Sequence, residues 1–416
     1  MNLLLIHQAF VSGQEAGGTR HVELGQRLVE HGDRVTVVAS QVSYLSGQPI
    51  DPARAGLRRG LCYRERAGGI SVLRAYAPAV LHRSFVYRVI AFVVFALTSI
   101  WASLRAGRVD VVMGTSPPIF QAVSALAVAR LRRAPFLLEV RDLWPAFAIE
   151  MGVLTNPVLI RLSRWLERFL YRHADHLVVN SPAYRDHLLG EGVAEGRISF
   201  VPNGVDVAMF DPEQRGEGIR DRYGLGDACV VVYAGAIGPA NDLGVLLDAA
   251  ERLTDHPAVR VVIVGDGKDR CRLEAEARNR GLRNVTFTGP LPKREMPAVL
   301  AAADVCVAIL QDIPMFRTTY PNKVFDYMAA GRPTVLAIDG VIRAVVEEAA
   351  AGVFVRPGDA RAMADAIGTL AADETSRRRM GASARTFVVA RFNRDRQAEQ
   401  FRGVLVDMVS GRGLDG

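Results

Sequence analysis

Cysteine is scarce in this chain. Four residues in 416, Cys62, Cys229, Cys271 and Cys306, stand far apart, and none forms a C-x-x-C pair. That spacing argues against a zinc site and against a disulfide framework. The thiols read as reduced and mostly buried, as in a cytosolic protein. No G-x-G-x-x-G fingerprint or Walker loop is present, which removes support from dinucleotide-binding and P-loop readings. No short-period repeat and no low-complexity tract occurs. The opening "MNLLLIHQAF" has neither a basic leader nor a cleavage site. It reads as a first strand, with a cytoplasmic location expected. Basic runs interleaved with aromatics are missing too, so no nucleic-acid partner is expected.

Lysine is absent from the first 205 residues, where 23 arginines face 15 acids for a net +8. The remainder nets −1 of the chain's +7. A basic first half suits an anionic partner such as a phosphorylated acceptor or an anionic membrane. A solvated arginine-rich surface would leave the same signature.

What is present is alternation. Strand candidates at 3–7, 35–39, 109–114, 135–140, 176–180 and 198–202 are separated by helical patterns. The pattern restarts after "VPNGVDVAMFDP", with strands expected at 229–234, 260–264, 285–288, 305–309, 334–337 and 352–355. Such alternation predicts two α/β units, each a doubly wound, Rossmann-like parallel sheet covered by helices. The expected first domain covers 1–205 and the second 206–389, with a final helix from about 390 to 416 that could pack back on the first. Ligands of doubly wound sheets bind beyond the strands' carboxyl ends, so a cleft between facing domains is the expected site.

Several loops at those ends carry candidate residues. Gly17 and Gly18 precede a helix and would let a phosphate approach backbone amides, with Arg20 beside them. In the second half, Gly235 and Gly238 follow the first strand, and Gly265-Asp266-Gly267 follows the second. Backbone near Leu291 could meet a base. The strongest cluster is "TTYPNKVFDYMAAGRPTV". Thr319, Pro321 and Asn322 lead into a helix with Lys323 in its first turn. A lysine there opposes the helix dipole unless a bound diphosphate uses both its charge and the amides. Asp326 lies one turn on, sharing a face with Asn322 and Lys323. An ordinary helix-start acid or an internal ion pair would explain Asp326 but not Lys323. In the first half "FLLEVRDLWP" runs from a buried-looking strand into Glu139, Arg141 and Asp142, candidates for contacting a sugar or a leaving group. A structural Arg–Asp pair is the alternative there.

The stretch 89–104 holds 16 residues without charge between Arg83, Arg88, Arg105 and Arg108. A spanning helix needs about 20 apolar residues. The segment therefore reads as an in-plane membrane helix with basic anchors or as a buried domain helix, with peripheral membrane contact expected.

Taken in order, "GGTRHVELGQRLVEHGDRVTVVAS", "EVRDLWP", "ISFVPNGVDVAMF", "VVIVGDGKDRCRLE", "NVTFTGPLPKREMPAVLAAADV" and "PNKVFDYMAAGRPTV" resemble the retaining family-four glycosyltransferases of GT-B fold over nearly the full length. "TSPP" and "EVRDLWP" are closer to the subgroup that builds bacterial surface polysaccharides from N-acetylated amino-sugar or deoxy-sugar donors. The resemblance implies a nucleotide-sugar donor, UDP-linked, held mainly by the second domain. It implies a lipid-linked or saccharide acceptor on the first domain, no obligatory metal and no further cofactor. It also assigns Lys323 to the diphosphate and Asp326 to the ribose hydroxyls, and leaves Arg141 and Asp142 beside the reacting sugar. Three positions depart from the pattern. Thr318 replaces the first acid of Glu-x7-Glu. Ala236 and Asn241 replace an arginine and a lysine, so Lys323 carries more of the phosphate charge, with Arg317 or Arg20 as helpers. Arg141 replaces a histidine and cannot act as a general base. A nucleotide-sugar epimerase, or a non-catalytic protein with a degenerate nucleotide site, stands as the alternative.

Overall fold

The computed structural model describes residues 1–11, 19–44, 46–56, 60–81, 83–256 and 258–411. These form two compact units, one of residues 1–202 with 395–416 and one of 203–394. The crossing points differ by a few residues from the expected 205/206 and 389/390.

The first unit contains β1 (Asn2–Ile6), α1 (Arg20–Glu30), β2 (Arg34–Ser40), β3 (Cys62–Ala67), β4 (Ile70–Ala75) and α2 (Phe85–Ser103). It continues with β5 (Val111–Ser116), α3 (Ile119–Arg132), β6 (Phe136–Val140), α4 (Ala146–Glu150) and α5 (Pro157–His173). β7 (His176–Val179), α6 (Pro182–Gly190) and β8 (Ile198–Phe200) follow. The sheet order is β3-β4-β2-β1-β5-β6-β7-β8, parallel except for the β3–β4 hairpin. That hairpin is missing from the sequence expectation. Its two strands alternate around Gly68-Gly69, both at positive φ, as a two-residue hairpin turn requires.

Chain order reverses between β1 and β5. Crossovers from β1 run one way along the sheet, while those through α2, α3 and α5 run the other, so these three helices share one face. α3 packs between α2 and α5. The central strands are buried on both sides, as parallel strands covered by two helix layers must be.

The second unit contains α7 (Glu217–Arg222), β9 (Cys229–Ala234), α8 (Leu243–Arg252), β10 (Val259–Val264), α9 (Arg270–Asn279) and β11 (Val285–Gly289). α10 (Met296–Ala302), β12 (Val305–Ile309), α11 (Asn322–Ala329), β13 (Thr334–Ala337), α12 (Val341–Glu348) and β14 (Gly352–Phe354) follow. α13 (Ala360–Ala372) and α14 (Glu374–Arg391) end the unit. Its sheet is wholly parallel, ordered β11-β10-β9-β12-β13-β14, and the reversal falls between β9 and β12. Two apolar clusters fill its two faces.

The expected single C-terminal helix is two helices, α14 and α15 (Arg394–Gly411). They are broken where Phe392 and Arg394 bond the backbone of Val205. Ala398, Phe401 and Leu405 of α15 join the first unit's core beside α1. Cysteine also departs from expectation. Cys229 and Cys306 are buried, but Cys271 is exposed on α9.

Candidate active site

In the second unit the reversal point between β9 and β12 is where Lys323 arrives. α11 starts after an extended Pro321, which is the residue before the first helical turn rather than its first member. Lys323, in that first turn, turns inward. Its Nζ donates to Tyr233 Oη at 2.8 Å and faces Asn241 Oδ1 at 3.4 Å. The ammonium also sits 4.1 Å from the Tyr233 ring centroid. Tyr233 is itself held, donating to Ala236 O at 2.6 Å. All these partners are neutral, and Lys323 forms no ion pair among the described residues. Burial pushes its ammonium down to about 7. The chain has only three lysines, and two of them lie in this region.

Backbone closes around that cation. A Cβ on Gly235 would meet Lys323 Nζ at 2.7 Å, and one on Gly265 would fall 1.8 Å from Gly235 O. Both residues have positive φ. Only glycine permits this approach of the β9 and β10 loops. Gly238 has no such role, since a Cβ there meets nothing within 4 Å. Asp266 accepts from Gly267 N at 2.8 Å and lies 3.3 Å from Arg270, so its carboxylate organises its own loop.

Asp326 does face the same end of the sheet, but there it meets a lysine that the sequence reading did not single out. Lys293 Nζ donates to Asp326 Oδ2 at 2.6 Å, with both side chains mostly buried. Lys293 belongs to "GPLPKRE", the loop after β11 that also carries Leu291, which packs against the apolar cluster of this unit. Thr318 and Thr319 bond the preceding turn at Met315 O and Phe316 O, and Asn322 is exposed. Arg317 pairs with Asp312 at 3.0 Å on the surface.

The first unit's reversal point, between β1 and β5, holds a different arrangement. Glu139 on β6 is fully buried and gripped from two sides. Arg20 Nε donates to Oε1 at 2.9 Å and His21 Nε2 meets Oε2 at 2.5 Å. His7, at the carboxyl end of β1, bonds Thr115 Oγ1 at 3.1 Å and stacks near His21, ring centroids 4.5 Å apart. Burial alone would raise the Glu139 carboxyl, but His21 and Arg20 outweigh it and hold it far below the ordinary range. Burial lowers both His7 and His21, so both rings stay neutral. His21 then donates a hydrogen bond, without a charge, to a carboxylate that Arg20 already balances.

Two expectations are corrected here. Glu139 is not presented to a ligand, because its oxygens are spent inside the fold. Arg20 is no phosphate helper, because its other nitrogens bond Pro202 O at 2.6 Å and Val201 O at 2.8 Å. Gly17 and Gly18 lie outside the described residues. His7 and His21 escaped the sequence reading. A histidine ending the first strand was the available signal.

Arg141 and Asp142 stand just beyond this cluster, both half-buried. Arg141 Nη2 donates to Pro117 O at 2.8 Å, and its Nε has no partner among the described residues. Tyr184 Oη lies 3.4 Å from Asp142 Oδ1. Burial raises Asp142 to about 6 despite the neighbouring Arg141. A carboxyl titrating there can take or give a proton near neutral pH.

Comparison with known proteins agrees with this geometry. Residues 16–204 match the family model described as glycosyl transferase 4-like domain, and residues 228–373 match that of glycosyl transferases group 1. The chain belongs to the group 1 glycosyltransferases. This glycosyltransferase is 26% identical over 285 residues to a putative colanic acid biosynthesis glycosyl transferase, WcaI, of Escherichia coli, covering 67% of this chain and 70% of that one. It is 28% identical to a GDP-mannose-dependent alpha-mannosyltransferase of Mycobacterium tuberculosis, over 70% of this chain and 71% of the relative. Other curated members of the family are matched over as little as 46% of their length. The HepE protein of Anabaena, solved with UDP and glucose, superposes with a TM-score of 0.73 at 17% identity, covering 97% of this chain and 99% of that one. The glycosyltransferase therefore has the two-domain GT-B fold.

Proposed function

We propose that this chain moves a sugar, of the N-acetylated amino-sugar or deoxy-sugar kind, from a UDP-sugar to a lipid-linked or saccharide acceptor with retention of configuration. The setting is surface-polysaccharide synthesis at the inner face of a membrane. One observation carries the reading: a buried ammonium, Lys323, balanced by no carboxylate, lies where two glycine loops bring backbone to the carboxyl end of a doubly wound sheet. A diphosphate supplies the missing negative charge.

In this reading the departing diphosphate is stabilised by Lys323 and the loop amides, with no obligatory metal. Asp326 accepts from the ribose, after Lys293 yields one carboxylate oxygen or shares it. Backbone near Leu291 meets the base. In the first unit Arg141 and Asp142 serve the acceptor and reacting sugar. α2 contacts the membrane through Val86, Ile90, Val93 and Leu97, which form one exposed stripe while Ala91, Phe95 and Ser99 face inward. UDP is favoured over GDP because of the subgroup resemblance and because HepE, which shares the fold, was solved with UDP, although a mannosyltransferase relative is named for GDP-mannose.

Calorimetric titration with UDP in EDTA, with GDP and ADP as comparators, tests the donor site. Selective UDP binding without metal is expected. Preference for GDP would correct the donor class and keep the site. Absence of binding to all three would remove the reading.

A further inference from the structure

α5 is built inside out. Its inward side carries Glu167, Leu170 and Tyr171, with Tyr171 Oη donating to Glu167 Oε1 at 2.8 Å. Its outward side carries Val158, Leu162, Trp165 and Phe169. Val158 is 72% exposed and Trp165 59%. Trp165 stacks on Phe169, its neighbour one turn along the same helix, at 5.5 Å. A large apolar face kept in water at this cost in free energy marks a place where something docks.

The spacing repeats that of α2. In both helices exposed apolar residues fall at i, i+4 and i+7 from the second helical residue, Val86, Ile90 and Val93 on α2 and Val158, Leu162 and Trp165 on α5, with exposed Leu97 and half-buried Phe169 at i+11. Both helices lie on the same face of the sheet with α3 between them, and both run from the strands' carboxyl edge towards the amino edge. Their apolar stripes therefore open on one side of the first unit, starting level with Arg141 and Asp142.

Charge decides the occupant. Along one flank of the α5 stripe stand Arg161, Arg164, Arg168 and Arg172, all exposed. Only Arg168 has a carboxylate partner among the described residues, Glu191 at 2.8 Å. The one acid on the helix, Glu167, is buried beneath it. An apolar ridge with an interfacial tryptophan and an unneutralised arginine edge complements an anionic bilayer surface.

We infer that α5 is a second membrane-docking element, which with α2 seats the first unit on an anionic bilayer through two parallel apolar ridges. Two weak anchors on one rigid sheet reinforce each other, because the second binds at high effective concentration once the first is down. The inference deepens the transferase reading, on which it rests only for the lipid-linked acceptor. The bilayer would then lie on the side from which such an acceptor reaches Asp142.

The test is co-sedimentation of the full chain with phosphatidylcholine vesicles, with and without phosphatidylglycerol. Wild type should bind the anionic vesicles, with a blue shift of tryptophan emission that Trp165→Phe removes. Leu162→Glu with Trp165→Glu, both on the surface, should weaken vesicle binding about tenfold or more at an unchanged melting temperature. Arg161→Ala with Arg164→Ala and Arg172→Ala should erase the preference for phosphatidylglycerol. Equal vesicle binding by wild type and the Glu variant, or no binding by either, overturns the inference. So does a wild-type dimer that the Glu variant splits, since the face would then be covered by a second copy. UDP affinity measured without vesicles separates the two readings. If wild type binds vesicles but not UDP, the transferase reading fails and the docking surface stands.

Discussion

The two sheets reverse their order at equivalent places, and polar residues gather at both, yet the two gatherings behave in opposite ways. In the first unit a buried carboxylate, Glu139, is closed in by Arg20 and His21, and Arg20 supplies its opposite charge. In the second a buried ammonium, Lys323, has only a phenol and an amide. Burial costs a charge its hydration in both cases. Where the fold supplies the counter-charge, the cluster is part of what holds the strands together. Where it does not, the counter-charge comes from a ligand. Titration reflects the same contrast: Glu139 stays ionised well below the ordinary carboxylate range, whereas Lys323 is pushed to the edge of neutrality.

The sharpest way to break that comparison is to remove each charge. Glu139→Gln leaves the Arg20 guanidinium buried without its partner and should cost about 3 kcal/mol in urea unfolding. A loss under about 1 kcal/mol would mean the first cluster is not structural. Lys323→Ala should do the reverse. It should lower kcat/KM about 100-fold while the melting temperature at pH 7.5 holds or rises, because folding no longer has to strip that amine of its water or its proton. A variant that unfolds instead would make Lys323 as structural as Glu139.

A finer probe follows the proton. Lys323 is largely neutral above its value of about 7 in the free protein, and a bound diphosphate raises it. UDP binding should therefore take up about one proton at pH 8 and far less at pH 6. Calorimetry in buffers of different ionisation enthalpy reads this directly. Proton release at pH 8 would contradict the charge argument.

The smallest expected effect is at Asp142. Its folded value of about 6 lies above the unfolded value of 3.8, so the ionised form is penalised in the folded state. Asp142→Asn should then melt higher than wild type at pH 7.5, by about 2–4 °C per kcal/mol gained. That advantage should shrink as pH falls from 6 towards 4, where the wild-type carboxyl is protonated in the folded state and the penalty fades. If Asp142 acts as a carboxylate, kcat/KM of wild type should also fall on the acid side with an apparent value near 6.

Much of this was legible in the chain itself. Cys229–Ala234, Val305–Ile309 and Thr334–Ala337 occupy the expected residues, because a four-to-six-residue apolar run bounded by turn residues is too short for a buried helix and suits a doubly covered strand. Lys323 was legible as an oddity, since a cation opposes the helix dipole at that position. The β3–β4 hairpin was not read, because edge strand β3 is mostly polar and Ser71 and Arg74 interrupt the apolar run of β4. The partners of the charges were not readable at all. Glu139 looks the same in sequence whether it points into a site or into Arg20.

Sequence by itself therefore determined the two doubly wound units, the glycines that end β9 and β10, and a lysine at the start of α11. These follow from local periodicity and from the steric demands of single residues. Only tertiary structure decided which charges are satisfied. Lys323 meets a tyrosine 90 positions earlier, and Glu139 meets Arg20 and His21 at separations of 119 and 118. Parallel strands bring such residues together only after long crossovers, and no local pattern records which side chains then face one another.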